Sequence, residues 1–500
     1  MKLSQLIKSI DSVNGLEIED IDIKGISYHS QKTSNDSLFV CVRGYKVDGH
    51  NYLHDAVKKG AKAAVVEEFQ ENISIPQFLV KDSRVALGQL GNVFYQCPSE
   101  KMKMIGITAT NGKTTTSYMM NAILENEGLK TGLIGTVVIK TDDVSIESEL
   151  TTPESLDLHY YLNEMVKKGV SHVCMEVSSA SLQMQRVDAV NYDIVALNNL
   201  TPEHAETHGS FEKYVEVKSR LIREADEKSI AVLNLDSTYS ASLVNQTKAK
   251  VISYGIDHKN GYIHCKNVDL STGRAIFTVE ILKPIPVGDN EVEPSKFTVE
   301  LGVPGMHSVY NAMAAITIGL LCGVSISTIQ HTLKEFSGVP RRFEFIYEDE
   351  FIIIDDHFAN PGNIEVTLQT LEHMDYENLQ LVYAIRGQRG PTINKDNAEA
   401  IAESASKLNI REIIATKSSS HVTSKDEVTD EEMEAFMDVM QNANIRVDVY
   451  DELPDAIHAA LSVAKKKDLV LLAGCQGMDY GAGIALDHVY KDDVKIEGKG

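Results

Sequence analysis

The stretch from Met104 to Gly128 constrains the fold most. MIGIT (Met104 to Thr108) is a short apolar run of the kind that forms a strand buried on both faces. ATNGKTTT (Ala109 to Thr116) follows without a spacer, and SYMMNAILENEG then reads as a helix ending at Gly128. A strand that turns through a glycine loop straight into a helix belongs to a layered α/β sheet. Ligands of such sheets sit beyond the carboxyl ends of the strands.

The rest of the chain repeats this alternation. HVCMEV, DIVALNN and IAVLNLD alternate with helical stretches in the middle. FIIID, LQLVYA, EIIAT, RVDVY and LVLLAG follow beyond Arg342, separated by helical stretches such as NAEAIAESASKL and DAIHAALSVAKK. Short strands SLFVCV and AAVVEE precede the glycine loop, and the polar CPSEKMKM marks a boundary after them. Five hundred residues exceed one hydrophobic core. The expected fold is α/β in three domains. Residues 1–100 form a small N-terminal α/β domain, and 101–338 a central P-loop ATPase-type domain with a mostly parallel sheet. Residues 339–500 form a Rossmann-like doubly wound sheet. KPIPVGDNEVEPSK (Lys283 to Lys296) reads as a loop, and the acidic DEVTDEEMEAF as a solvated helix face.

A formal charge of -24 opposes wrapping of nucleic acid or adhesion to anionic lipid. No apolar run reaches the roughly 20 residues of a membrane span, and the first twenty residues lack a signal-peptide core. The six cysteines are scattered without a CxxC pair, so neither a disulfide framework nor a zinc knuckle is expected. A cytoplasmic monomer that neither binds nucleic acid nor enters a membrane is the expectation.

The loop after MIGIT aims backbone N–H groups and a helix N-terminus at a phosphate. Thr110, Asn111, Gly112 and Thr115 would line it, Lys113 would neutralise β/γ charge, and the Thr114 hydroxyl would reach Mg²⁺. A strict P-loop has glycine where Ile107 stands, and the strand-loop-helix context compensates. A nucleoside triphosphate is the expected ligand. Glu176 ends HVCME and would be a hard oxygen ligand beside that loop. His204 and His208 are four apart and would suit a zinc pair on a helix. A zincin, however, needs Glu directly after the first histidine, and Ala205 stands there.

ITATNGKTTT resembles the phosphate loop of the Mur ligases, which usually have glycine at the position of Ala109. NNLTPEHAETHGSFEKYVEVK (Asn198 to Lys218) resembles the second Mur ligase block, and LTTPESLDLHYYL, LGVPGMHSVYNAMAAI and GVPRRFE resemble others. The resemblance implies an ATP-dependent ligase that activates a carboxylate as an acyl phosphate and joins it to an amine. Lys113, Glu176, His204 and Lys218 would be catalytic. Glu176 and His204 would help Thr114 hold magnesium, and Lys218 would be carbamylated by CO₂ into a further anionic ligand. Asn311 would meet adenine and Arg342 the nucleotide. Thr151, Thr152, Ser178 and Arg186 would contact a UDP-linked peptide or sugar-peptide donor. Ser27 to Glu68 is similar to the uridine-nucleotide domain of the branch that adds the third amino acid of a muramoyl peptide, with Ser30 at the donor.

The acceptor blocks depart from that branch. Asp-Tyr-Ala-His-Thr-Pro becomes Asp356, His357, Phe358, Ala359, Asn360 and Pro361, with the histidine gone from its usual place. Asp-Asn-Pro-Arg, which marks diaminopimelate addition, would fall near Ser418 to His421. Met478 stands where an amine-binding glutamate is expected. Losing a carboxylate that pairs with a buried ammonium costs several kcal/mol if the acceptor is unchanged, so a different amino acid is expected. Arg386 and Arg389 would clamp its carboxylate. An archaeal pseudomurein peptide ligase is the variant these departures suggest first, and a folylpolyglutamate-type ligase is a rival within the amide-forming class. A P-loop phosphotransferase and a non-catalytic nucleotide-binding module are the rivals outside it.

Overall fold

The computed structural model describes residues 1–10, 20–44, 47–201, 209–270 and 274–497, with side chains to 490. They form two compact units. The first comprises Met1–His264, Glu280–Ser295 and Asn311–Ile329, and the second Cys265–Val279, Lys296–Tyr310 and Gln330–Gly500. Among the described residues, no helix is long and apolar enough to cross a membrane.

The first unit opens with a four-stranded parallel sheet, β1 (Gly25–Ser27), β2 (Ser37–Val40), β3 (Ala61–Val66) and β4 (Gln77–Leu79), in sequence order. The expected strands SLFVCV and AAVVEE are β2 and β3. The larger sheet comprises β5 (Lys103–Thr108), β6 (Thr131–Ile134), β7 (Val138–Thr141), β8 (Val144–Glu147), β9 (His172–Glu176), β10 (Ile194–Leu197), β11 (Ile230–Asn234) and β12 (Lys250–Gly255). Their spatial order is β12-β11-β10-β5-β9-β6-β7-β8. The strands from β12 to β6 are parallel, whereas β7 and β8 add an antiparallel hairpin at the edge. The chain builds one flank from β5, returns through β9, and then builds the other flank from β10. The carboxyl end of β5 therefore lies where strand order reverses, the position at which open α/β sheets place their ligands.

Burial explains these strands. Met104 and Ile105 are both fully buried on successive positions of β5, so the strand is apolar on both faces, as parallel strands covered by helices must be. Met104, Val173, Met175, Val195 and Leu197 form one apolar layer with Leu158 and Leu162 of the helix Ser155–Lys168. That helix ends at Gly169, whose φ of +76° is a left-handed terminus.

His159 on the same helix is fully buried with no hydrogen-bond partner on either ring nitrogen, and a Cβ at Gly91 would lie 3.2 Å from its ring. Burial pulls its pKa down to about 4. The unfolded chain therefore binds more protons than the folded one between about pH 6.5 and pH 4. Stability falls through that window as pH drops, by roughly 3 kcal/mol from this residue. His159→Leu should narrow the gap between melting temperatures at pH 7 and pH 4.5, and an unchanged gap would count against this role.

Lys283 to Lys296 is not a plain loop. β15 (Ile285–Val287) and β16 (Asn290–Val292) pair antiparallel through a Gly288-Asp289 turn, with Gly288 at φ +57°. A two-residue turn opening on glycine is a hairpin signal, but three-residue strands rich in Pro and Glu are too short to show alternation.

In the second unit lie β13 (Ile263–Asp269) from Cys265 on, β14 (Arg274–Ile281) as far as Val279, and β17 (Lys296–Pro304), in the order β17-β14-β13. A six-stranded sheet follows, from β18 (Glu344–Glu348), β19 (Ile352–Asp356), β20 (Leu379–Ala384), β21 (Glu412–Thr416), β22 (Arg446–Tyr450) and β23 (Leu469–Gly474), in the order β18-β19-β23-β20-β21-β22. All pairs are parallel except β18 with β19. Leu381 and Tyr383 of β20 face a core with the helices Pro361–Leu371, Pro391–Ala405 and Asp430–Asn442, while Val382 and Ala384 face one with Leu453–Val463. This is the doubly wound sheet read from the sequence.

The acidic stretch needs a correction. Glu432 is only 1% exposed rather than solvated. Thr429 and Glu432 form a capping box on the helix Asp430–Asn442. The Glu432 carboxylate also accepts from the backbone N–H groups of Gln388, Arg389 and Gly390 at 3.0, 2.8 and 2.7 Å. Burial pushes this carboxyl up, but those N–H bonds prevail and hold it below its usual value.

Candidate active site

Thr110 to Thr115 curl around the end of β5. Gly112 has φ +84° and starts the helix Lys113–Asn126, a turn that L side chains rarely make. Ala109, where the resembling loops have glycine, is fully buried and is not at positive φ, so alanine fits. The loop is clamped by Asn199, just past β10. Its side chain accepts from Asn111 N and donates to Asn111 O, both at 3.0 Å, and its carbonyl accepts from Thr110 N at 2.9 Å. Asn198 Nδ2 donates to Thr116 Oγ1 at 3.1 Å. Neither asparagine was assigned a role from sequence, although their place after a strand beside the loop was the available signal.

Lys113 Nζ donates to the carbonyls of Ala109 and Thr110 at 2.9 and 3.0 Å, curling over the loop. Asn311 packs on the same turn, where a Cβ on Gly112 would lie 2.2 Å from its Oδ1. Asn311 is therefore brought to the phosphate-loop turn at Gly112.

Glu176, at the end of β9, is fully buried. Its Oε2 accepts from Thr114 Oγ1 and Thr136 Oγ1, both at 3.0 Å, and its Oε1 from Thr136 N at 2.8 Å. A carboxylate and a hydroxyl meeting beside a phosphate loop form the hard oxygen set that Mg²⁺ takes from protein when phosphates and water complete its shell. The residues present thus fit the ion. Among the described residues, no three His, Cys, Asp or Glu side chains form a metal-binding group. His204 and His208 lie outside the described residues.

Lys218 is 2% exposed on the helix Phe211–Arg223. Tyr214, Lys218, Leu221 and Ile222 are buried at one-turn spacing, so the lysine sits on the apolar face. Its ammonium donates to Ala109 O, with Thr108 Oγ1 at 3.4 Å and the Tyr214 ring centroid at 5.1 Å. Burial drives its pKa well below the ordinary value, Lys113 lowers it further, and only Glu176 opposes. A neutral amine there is the chemical requirement for carbamylation.

Of the residues expected at the donor, Thr152 is hydrogen-bonded to both Ser178 and Arg186, and Thr151 directly precedes it in the chain. Thr151 Oγ1 lies 3.1 Å from Thr136 Oγ1. Thr152 is fully buried, with its hydroxyl donating to Glu176 O at 2.8 Å and its Oγ1 accepting from Ser178 N at 3.2 Å. Arg186 donates to Thr152 O at 3.2 Å and pairs with Glu154 at 2.8 Å. Ser30 opens the short helix Ser30–Lys32 between β1 and β2.

In the second unit Arg342 stands beside buried Asp356, whose carboxyl burial raises to about 6 against the arginine's charge. Arg386 donates to Ala359 O, and Arg389 pairs with Asp426 at 3.2 Å. Asn360, in the position of the resembling block's threonine, caps the helix Pro361–Leu371 by accepting from Asn363 N at 3.0 Å. Ser418 is buried and donates to Gly477 O at 2.6 Å. Met478 is fully buried in the apolar cluster of Ile353, Val470 and Leu472.

A phosphate loop at the strand-order reversal of one parallel sheet, with a buried carboxylate and lysine beside it and a doubly wound sheet in a second unit, defines a nucleotide-dependent α/β enzyme. Three family descriptions match the chain: Mur ligase family, catalytic domain, at 22–95, Mur ligase middle domain at 107–319, and Mur ligase, glutamate ligase domain, at 341–476. The UDP-N-acetylmuramoyl-L-alanyl-D-glutamate–2,6-diaminopimelate ligase of Caldanaerobacter subterraneus is 33% identical over 94% of this chain and 94% of its own length. MurF from Acinetobacter baumannii superposes with a TM-score of 0.67 at 20% identity, covering 97% of both chains. A pseudomurein peptide ligase type C from Methanothermus fervidus superposes at 0.54 and 20%, covering 91% of this chain and 94% of that one, a likeness of fold alone. The chain belongs to the Mur ligase family and is an ATP-dependent, amide-forming ligase.

Proposed function

We propose that this ligase activates the carboxylate of a UDP-linked peptide precursor with ATP and joins it to an amino acid other than diaminopimelate. The observation that supports the activation half best is Lys218, a buried amine of lowered pKa against the phosphate loop and in the field of Glu176. Met478 in the apolar core, with no carboxylate in the amine-binding position, supports the acceptor half. Residues 1–100 bind the donor, 101–338 the ATP, and 339–500 the acceptor. A pseudomurein-type precursor is one donor and acceptor system that these departures suit.

A donor carboxylate oxygen bonds to the γ-phosphorus as the bond to the ADP oxygen breaks. The amine then bonds to the acyl carbon, inorganic phosphate leaves, and the nitrogen loses a proton. Phosphoryl transfer of this kind needs positioning and charge neutralisation more than covalent help. Lys113 neutralises phosphate charge, and the loop amides of Thr110 to Thr115 hold the phosphates. Thr114 and Glu176 hold Mg²⁺, with His204 as the further ligand the family implies. When bound, that ion offsets the charge developing on the phosphate oxygens. On neutral Lys218 the nitrogen bonds to CO₂ and releases a proton, giving a carbamate that adds anionic oxygen to this set. Arg386 and Arg389 bind the acceptor carboxylate.

The test supplies UDP-N-acetylmuramoyl-L-alanyl-D-glutamate and single amino acids, and measures phosphate release and product mass. Acceptor-dependent phosphate and an amide product without diaminopimelate are expected. Steady ATP hydrolysis indifferent to every acceptor would contradict the reading.

A further inference from the structure

Thr136 stands in the turn between β6 and β7, next to the phosphate loop and next to the donor residues. It is exposed at its own position, yet it holds both oxygens of buried Glu176, one through its backbone N–H at 2.8 Å and the other through its hydroxyl at 3.0 Å. The approach depends on Gly135, since a Cβ there would lie 2.3 Å from Glu176 Oε1. The same hydroxyl oxygen lies 3.1 Å from Thr151 Oγ1.

A hydroxyl has one proton and two acceptor lone pairs. While Thr136 donates to Glu176, its 3.1 Å contact with Thr151 is a hydrogen bond only if Thr151 donates inward. Oε2 also accepts from Thr114 Oγ1 at 3.0 Å, so both of its lone pairs are in use, and a group that claims the one facing Thr136 removes that acceptor. The Thr136 proton then turns to Thr151 Oγ1, and the Thr151 proton is released outward. An anionic ligand at Thr151 thereby gains a donor it lacked.

We propose that Thr136 and Thr151 form a two-hydroxyl relay through which occupancy at Glu176 tightens binding of the anionic donor substrate. Thr136 acts here as a positioning residue. The inference rests on the reading of Glu176 as the cation contact and Thr151 as a donor contact. By linkage the effect is reciprocal, so the donor substrate also tightens the nucleotide complex.

The test is calorimetric and needs no turnover. The Kd of UDP-N-acetylmuramoyl-L-alanyl-D-glutamate is measured with and without Mg²⁺ and a non-hydrolysable ATP analogue. Wild type is expected to bind it roughly 10-fold tighter with the nucleotide present. Thr136→Val and Thr151→Val should each bring that ratio close to one, and Thr136→Ser should restore it. If one valine variant does not fold, the other still decides. A wild type that binds the dipeptide with a clear ratio which the valine variants keep overturns the relay and leaves the donor reading standing. A wild type that binds no UDP-peptide overturns both.

Discussion

Lys113→Met should lower ATP-dependent turnover by roughly 10³-fold, the scale lost when one preorganised charge-stabilising group is removed. The loss has two sources. The ammonium curls over the loop on the Ala109 and Thr110 carbonyls, where on the proposed reading it would meet phosphate charge. Its charge also lowers the pKa of Lys218. Without it more of Lys218 stays protonated, and less is free to react with CO₂. The variant should therefore show both a weaker nucleotide Kd by calorimetry and a smaller carbamate signal with ¹³C-bicarbonate. Retained turnover would remove the phosphate loop from the reaction.

Lys218→Met is expected to separate activity from stability. A buried ammonium is costly to desolvate, and an apolar side chain of similar length in its place is often neutral or stabilising. Tyr214, Leu221 and Ile222 already supply an apolar face. The melting temperature should therefore hold or rise while turnover falls by roughly 10²-fold or more. Wild type incubated with ¹³C-bicarbonate should give a carbamate carbon resonance that Lys218→Met lacks. Equal spectra, or equal turnover, would exclude the carbamate.

Much of the fold is legible in the sequence. Apolar runs between turn residues located β5, β9, β10 and β11 of one large sheet and β19 to β23 of the other, because most buried parallel strands are apolar throughout, whereas β6, β7, β8, β12 and β18 were not read. The Gly288 hairpin escaped, since its three-residue strands carry too little pattern. Lys218 was singled out only by the family resemblance, since a helix lysine by itself is usually a surface residue; its burial on one face with Tyr214, Leu221 and Ile222 is seen only in the fold. Glu432 and Thr136 were not legible. Each acts on groups distant in sequence, Glu432 on the amides of Gln388 to Gly390 and Thr136 on Glu176. Only tertiary structure creates such contacts. That Met478 stands where the resemblance leads one to expect an amine-binding glutamate was visible in the sequence, whereas its burial in the core needed the fold.

The central claim is that amide formation passes through an acyl phosphate. A donor whose terminal carboxylate is labelled with ¹⁸O tests it directly. The oxygen that attacks the γ-phosphorus leaves with the phosphate when the amine attacks the acyl carbon. One ¹⁸O per inorganic phosphate is predicted, with the other retained in the amide carbonyl. Unlabelled phosphate released alongside amide product would contradict the account.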